Sequence, residues 1–434
     1  MKYYFKLISA FIRRFGTIIF IGILIGVIVF LLLSYLIPRF FLTKPERIGY
    51  TGRYSTKDLP LEISSQIGKG LVTVTQTSVV QPALAKNWVI EEDGKKWIFE
   101  LDDNLKWQDN KPINLEEINY NFSDVEVTKE NNKITFNLRE PYIPFVVLLE
   151  NPIFKKGLLG TGEWKVKKLS IRGDYIQRLD LTKNNQKQII KFYPTEDQTK
   201  LAFKLGEVDE IKNLLSPVPF DEWDNVNIEG NVKTDKVVVI FFNTQDKVLT
   251  EKNMRLALNY SVDKNNYPNR AISPINSMSI YFNPQVKSYD FDSEKAKELI
   301  SELKDKIPED YELKLISTPN LLDIADKISN NWNDLGISSS VLVSSVIPSD
   351  YQAFITIFDI PKDPDQYSLW HSTQEATNIT KYKNVRIDKL LEDGRVEQNL
   401  DKRKKIYLDF QRYLAEDSPA IFLYNPVWYN VARK

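Results

Sequence analysis

Residues 16–37 run for 22 positions without a charge: GTIIFIGILIGVIVFLLLSYLI. No other stretch limits the chain as strongly. A helix of that length extends about 33 Å at about 1.5 Å per residue, which matches a hydrocarbon core of about 30 Å. The run is apolar all round and has no polar stripe to face water, so it predicts a transmembrane helix and not a core helix. A cleaved secretory signal fits less well. Such apolar regions are about 7–15 residues long and end in a small-x-small site, whereas the next alanine after Ala10 is Ala83. An uncleaved anchor is expected, stopped by Pro38, with Tyr35, Phe40 and Phe41 at the interface. Lys2, Lys6, Arg13 and Arg14 precede the run, and Arg39, Lys44, Arg47 and Arg53 follow it. The positive-inside count is nearly a tie, so charge leaves the orientation open.

The rest of the chain is ordinary globular material, with 42% hydrophobic and 27% charged residues. At 434 residues it is long enough for two or three lobes. It has no cysteine and one histidine, His371. A disulfide scaffold, thiolate metal sites, a cysteine nucleophile and a lipid-modified cysteine are excluded, and a multi-histidine metal centre cannot be built. The formal net charge is zero, but residues 1–45 carry six bases and no acid, leaving 52 bases against 58 acids beyond them. An acidic body of this kind has no basic surplus for nucleic acid. No G-x-S-x-G, P-loop, dinucleotide fingerprint or H-E-x-x-H occurs. Glu91-Glu92-Asp93 beside Gly94 reads as a solvated turn, and Asp363-Pro364-Asp365 as turn chemistry and not a calcium loop. Neither enzyme activity, nor a metal, nor a cofactor is expected.

Periodicity predicts a mixed α/β body from about residue 46. Residues 47–50, 95–101 and 133–138 read as strands, and Asn114 with Glu117 as a capping-box start of a helix LEEINYNF. Thr195 and Gln198 open a second helix that Gly206 closes. The continuous apolar run 237–242 predicts a strand buried on both faces. Residues 312–317 and 341–346 are strand-like. Between them Leu321, Ala325, Ile328, Trp332 and Leu335 form one helical face closed by Gly336, a βαβ crossover and hence parallel pairing. A helix at 401–415 and a strand at 421–424 follow. Of eight tryptophans most fall in strand patterns and read as core; Trp370 and His371, after DPDQYS, lie in a loop-like stretch of the kind that lines ligand clefts.

At this point the residues carry a family likeness. PALAKNWVIEEDGKKWIFELDDNLKWQDNKPINLEEINYNF at 82–122 resembles the signature of the family 5 extracellular solute-binding proteins, the oligopeptide- and dipeptide-binding components of ABC importers. GTGEWKV at 160–166, LAFKLGEVDEI at 201–211, VVIFFNT at 238–244 with RLALNYSVDKNNY at 255–267, and DPDQYSLWHSTQ at 363–374 leading to DFQRYLAEDSPAIFLYNP at 409–426 are similar to further family blocks, in the same order. The match spans nearly everything after residue 46.

The resemblance implies an α/β, two-lobed fold like the type II periplasmic binding proteins, hinged, and the apolar run places one N-terminal transmembrane helix before it. Residues 1–15 would be cytoplasmic and the body extracytoplasmic. Lobe one would take 46–236, with 419–434 returning to it, and lobe two 237–418. A monomer is expected, capturing oligopeptides and delivering them to a permease and ATPase. Main-chain pairing with strand edges serves any peptide, and a carboxylate fixes its amine. The family's amine-binding position falls on Ile360; either an insertion keeps Asp359 in that role or the site is absent, and Asp359 is the candidate. Ile357 and Phe358 would form the lobe-two edge, Arg53 and Tyr54 would face it, and Trp370 and His371 either line the cleft or are structural. A metal chelate, haem or a sugar oligomer is the alternative ligand, and an anchored sensor or envelope interaction protein the alternative role.

Overall fold

The structure is a computed structural model that describes residues 2–41, 44–120, 122–347 and 351–434, with side chains of the first helix described over 13–32. The apolar run at 237–242 becomes the strand Lys236–Phe242, buried from Val237 onward. Alternation explains why it needs no polar face. Val238, Ile240 and Phe242 enter one core with Leu315, Trp332 and Ile355, while Val237, Val239 and Phe241 enter a second with Trp370, Tyr407 and Phe410. The strand belongs to a five-stranded sheet ordered Ser339–Val343, Leu313–Ser317, Ala353–Asp359, Lys236–Phe242, Ala420–Tyr424. Within it Leu313–Ser317, the helix Leu322–Asp334 and Ser339–Val343 form the expected βαβ unit with parallel pairing. Gly336 ends the helix at φ +91°, a left-handed turn that glycine adopts without steric cost.

A seven-stranded sheet is built around Glu46–Thr51, which pairs in parallel with Gln186–Tyr193 and Glu210–Leu214. Tyr175–Lys183 and Lys165–Arg172 extend it on one side, Val427–Arg433 and Val226–Val232 on the other. The helix Glu196–Lys204, capped as expected by Thr195, buries Thr199, Ala202 and Phe203. Ala85–Glu91, Lys96–Leu101, Lys133–Leu138 and Val125–Glu130 form a four-stranded antiparallel sheet over an aromatic core of Trp97, Phe99, Phe136 and Phe145. The GTGEW block has a steric reason. A Cβ on Gly160 or Gly162 would stand 2.2 Å from the Ile67 carbonyl oxygen or 2.3 Å from that of Gln66, the end of the helix Leu61–Ile67 that this segment hydrogen-bonds.

Three expectations shift. The capping box at Asn114 forms, yet it opens only the single 3-10 turn Leu115–Glu117. Glu117 is drawn to Trp107 Nε1 at 2.7 Å and Lys155 at 2.7 Å, and Ile118, Tyr120 and Phe122 leave the helix to pack in the aromatic core. The strand Ala420–Tyr424, assigned by the expected division to the first lobe, pairs instead with Lys236–Phe242, so the chain returns to the seven-stranded sheet at residues 425–426 and not at 419. The first helix, Lys2–Phe41, runs on past Pro38, which falls in its last turn. Its segment Arg13–Leu32, with mean hydropathy 3.0 and none of it buried, is long and apolar enough to cross a membrane. The side chains of Tyr35, Phe40 and Phe41 lie outside the described residues.

The two large sheets are joined by adjacent crossings, at residues 233–235 and 425–426. Lys233 N–H donates to the Pro426 carbonyl at 2.8 Å, and Asn425 Nδ2 to the Lys236 carbonyl at 2.7 Å. The result is a two-lobed α/β fold with paired connections.

Candidate functional site: the cleft at the double crossing

A cavity of about 560 Å³ opens beside the two crossings. The seven-stranded side supplies Tyr50, Lys212, Asn213, Glu229, Asn231 and Asn430, with Glu62 and Gln66 from the helix Leu61–Ile67; the crossing supplies Lys233, Thr234 and Asp235. From the five-stranded side come Ile360, Pro361, Lys362 and Asn276. Tyr50 and Lys212 are neighbours because their strands are parallel and in register. Tyr50 and the next lining residue, Asn213, stand toward the carboxyl ends of those strands, where open α/β sheets offer a crevice to ligands.

The lining balances three carboxylates, Glu62, Glu229 and Asp235, against three ammonium groups, Lys212, Lys233 and Lys362, with carboxamides between them. Asn213 Nδ2 donates to Glu62 at 2.8 Å, which fixes that carboxylate. Burial, with Glu62 and Glu210 nearby, pushes the Tyr50 phenol well above its ordinary value, so it stays a neutral donor. Burial also raises the Glu210 carboxyl, against the opposing pull of Lys212. Such a wall offers donors and acceptors in equal measure and suits a polar ligand bearing both charges.

The two sides touch across the cleft. Lys362 Nζ meets both Glu150 oxygens at 2.6 and 2.7 Å, and Glu150 also accepts from Val74 N–H at 3.0 Å. Ile280 N–H donates to the Thr77 carbonyl at 3.0 Å, and Ile143 N–H to that of Arg395 at 2.8 Å. The Arg395 guanidinium lies between the rings of Tyr142 and Tyr367, 4.8 and 4.4 Å from their centroids.

The residues expected at the site divide. Asp359 ends its strand next to the cleft-lining Ile360, but its carboxylate is 79% exposed and paired with Lys236, whose ammonium also lies 4.8 Å from the Trp428 ring. The expected edge at Ile357 and Phe358 is interior on one side, paired with Val238 and Val237. On the other side pairing with Leu313–Ser317 stops at Ile355, which leaves 356–359 overhanging. Arg53 is exposed, and Tyr54 turns inward, its hydroxyl on the Thr51 carbonyl at 3.0 Å and its ring edge-on to Phe192; neither lines the cleft. Trp370 is fully buried, its indole donating to Gln366 at 2.8 Å, because the turn Tyr367–Trp370 is helical and aims it at Phe241. His371 is 3% exposed, stacked on Tyr367 and held by Thr373 and Glu392. Both are core residues of the five-stranded side. Lys212, Asn213, Asp235, Lys362 and Asn430 escaped the sequence reading, since only strand order brings them together.

Comparison with known proteins agrees with this architecture. The description of the bacterial extracellular solute-binding proteins, family 5 middle region, matches residues 79–140 and 125–376. The probable D,D-dipeptide-binding periplasmic protein DdpA of Escherichia coli (strain K12) is 22% identical over 416 residues, covering 80% of this chain and 79% of that one. Among solved structures, NikZ from Campylobacter jejuni in complex with Ni(L-His) superposes with a TM-score of 0.71 at 23% identity, over 90% of this chain and 94% of that one. The oligopeptide-binding protein AppA from Bacillus subtilis in complex with a nonapeptide gives 0.68 at 18% identity, over 90% and 95%. With most of its body matched and the two-lobed fold shared, the chain belongs to the bacterial extracellular solute-binding proteins of family 5, which hold a solute and do not turn it over.

Proposed function

We propose that this chain is the membrane-anchored, extracytoplasmic binding component of an ABC importer, and that it captures short oligopeptides between its lobes for delivery to a permease. The observation that carries the reading is the cleft lining: matched opposite charges and carboxamides around a volume within the 300–1,000 Å³ range of about drug-sized ligand sites. A peptide with free termini offers both charges and repeated main-chain donors and acceptors. The relatives named for dipeptides and a nonapeptide support the same class. The lobes are proposed as residues 46–232 with 427–434, and residues 236–424, turning about the paired crossings.

Two carboxylates flank the cleft-lining Ile360, one across a main-chain hydrogen bond and one preceding it in the chain. Asp235 lines the cleft and its carbonyl accepts from Ile360 N–H at 2.8 Å, whereas Asp359 is engaged by Lys236. Asp235→Asn is expected to weaken peptide binding more than Asp359→Asn, by about 1–2 kcal/mol for a partly exposed charge-assisted contact, measured by calorimetry.

The test is a thermal-shift screen of the full chain in detergent against pooled di- to octapeptides, sugars, haem and nickel–histidine. A ligand at 100 times its dissociation constant stabilises by about 2.7 kcal/mol. A shift with peptides alone supports the proposal. A shift with nickel–histidine alone transfers it to a chelate, the ligand class in the NikZ structure. No shift from any pool in a cooperatively melting protein overturns capture and leaves an anchored interaction role.

A further inference from the structure

The anchor and the body are separated by very little chain. The first helix ends at Phe41 and the first strand begins at Glu46, so residues 42–45 alone connect them. At no more than about 3.6 Å per residue, that connection spans roughly 14 Å. The end of the seven-stranded sheet at which Glu46–Thr51 begins is therefore held beside the bilayer, and the cleft, at the other end of the same strand, is held away from it.

That same end carries a feature the fold does not use. The helix Glu196–Lys204 runs back from the cleft end, and its exit is tied to the first strand: Arg47 donates to the Gly206 carbonyl at 2.8 Å and to Asp209 at 2.7 Å, with Lys44 3.9 Å from Asp209. Ala202 and Phe203 face the sheet. Leu201 and Leu205, one turn apart on the outer face, are 52% and 68% exposed. Lys204 beside them is exposed and the Lys44 side chain is 79% exposed; the nearby acid Glu207 is engaged by Lys191 and Tyr193. Two leucines flanked by lysines, on the end of the body that a four-residue tether keeps at the membrane, have the chemistry of an interfacial contact, with apolar side chains at the acyl boundary and ammonium groups at headgroup phosphates.

We propose that the face formed by Leu201, Leu205, Lys204 and Lys44 rests on the bilayer surface, fixing the orientation of the lobe that carries it. The proposal rests on the anchored reading above, and its test separates the two. The chain has no cysteine, so single exchanges give unique labels. Full-length protein in vesicles of phosphatidylcholine and phosphatidylglycerol is spin-labelled at Leu205→Cys, at Val385→Cys on the distant lobe (85% exposed), and at Phe20→Cys in the apolar helix (67% exposed). Lipid-soluble oxygen is expected to relax the labels at 20 and 205 more than a water-soluble nickel chelate does, with the order reversed at 385. A label at 20 in lipid while the label at 205 behaves as that at 385 overturns the docking face and leaves the anchor standing. Water access at 20 overturns both. Spin–spin broadening at 205 that rises with protein density, without oxygen preference, assigns the face to a second copy and overturns contact with lipid.

Discussion

The two walls of the cleft are built differently. On the seven-stranded side Tyr50, Lys212, Asn213 and Asn430 project from neighbouring strands of one sheet, and Glu62 is pinned by Asn213. On the five-stranded side the wall is mainly one short segment, Ile360, Pro361 and Lys362, following the strand Ala353–Asp359. Side chains on paired strands are pre-organised and lose little freedom on binding; a single segment can be repositioned by lobe rotation. Under the proposed function, recognition falls chiefly to the first wall and closure to the second.

The largest expected effect tests whether the aromatic pair at 370–371 belongs to either wall. Trp370→Ala should destabilise the protein by about 3–5 kcal/mol through the cavity it leaves, read by denaturant melts. Peptide affinity measured below the transition should hold, and a loss of affinity at unchanged stability would return Trp370 to the cleft. Next, Lys212→Met on the pre-organised wall should weaken binding of a peptide with free termini by about 2–3 kcal/mol, measured by calorimetry, with little change in Tm. Lys362→Met on the closing wall should cost less, about 0.5–1 kcal/mol, because the Lys362 side chain is 40% exposed. Its signature should be faster dissociation in stopped flow, and a loss as large as that of Lys212→Met would erase the distinction between the walls.

The smallest effect is a pH dependence confined to the first wall's sheet. Arg47, hydrogen-bonded to Asp209, holds that carboxyl below its ordinary value. A carboxylate depressed in the folded state contributes stability that is fully present above about pH 4 and disappears as the pH falls through its lowered value. Acid titration of stability should show this loss in the parent chain and a shallower one in Arg47→Gln. The difference should be about 1 kcal/mol or less for this partly exposed pair.

Where burial alone decides, the sequence was readable. The run 237–242 could only be an interior strand, and the face from Leu321 to Leu335 with Gly336 after it could only be a packed helix between strands. The capping box at Asn114 was also legible, but a local cap competes with tertiary packing, and Tyr120 and Phe122 gained more by joining Phe136 than by extending a helix. Of the expected site residues, Asp359 lies within one residue of the cleft wall, while Trp370 and His371 take the structural alternative, buried by a helical turn that their polar flanking sequence does not announce. The cavity lining joins positions as distant as Tyr50, Lys212 and Asn430. Their proximity depends on strand order, which periodicity does not carry.

The late return of the chain has a consequence for biogenesis. The strand Val427–Arg433 does not sit at an edge but inserts between Glu210–Leu214 and Val226–Val232. The seven-stranded sheet therefore cannot close until residues 427–433 have emerged. Until then the growing chain carries an unsealed seam with unpaired main-chain groups on both sides, a template for wrong strand pairing. That strand is in this sense a zipper pull: removing it takes away no cleft residue but Asn430, yet leaves a lobe that can never be fastened.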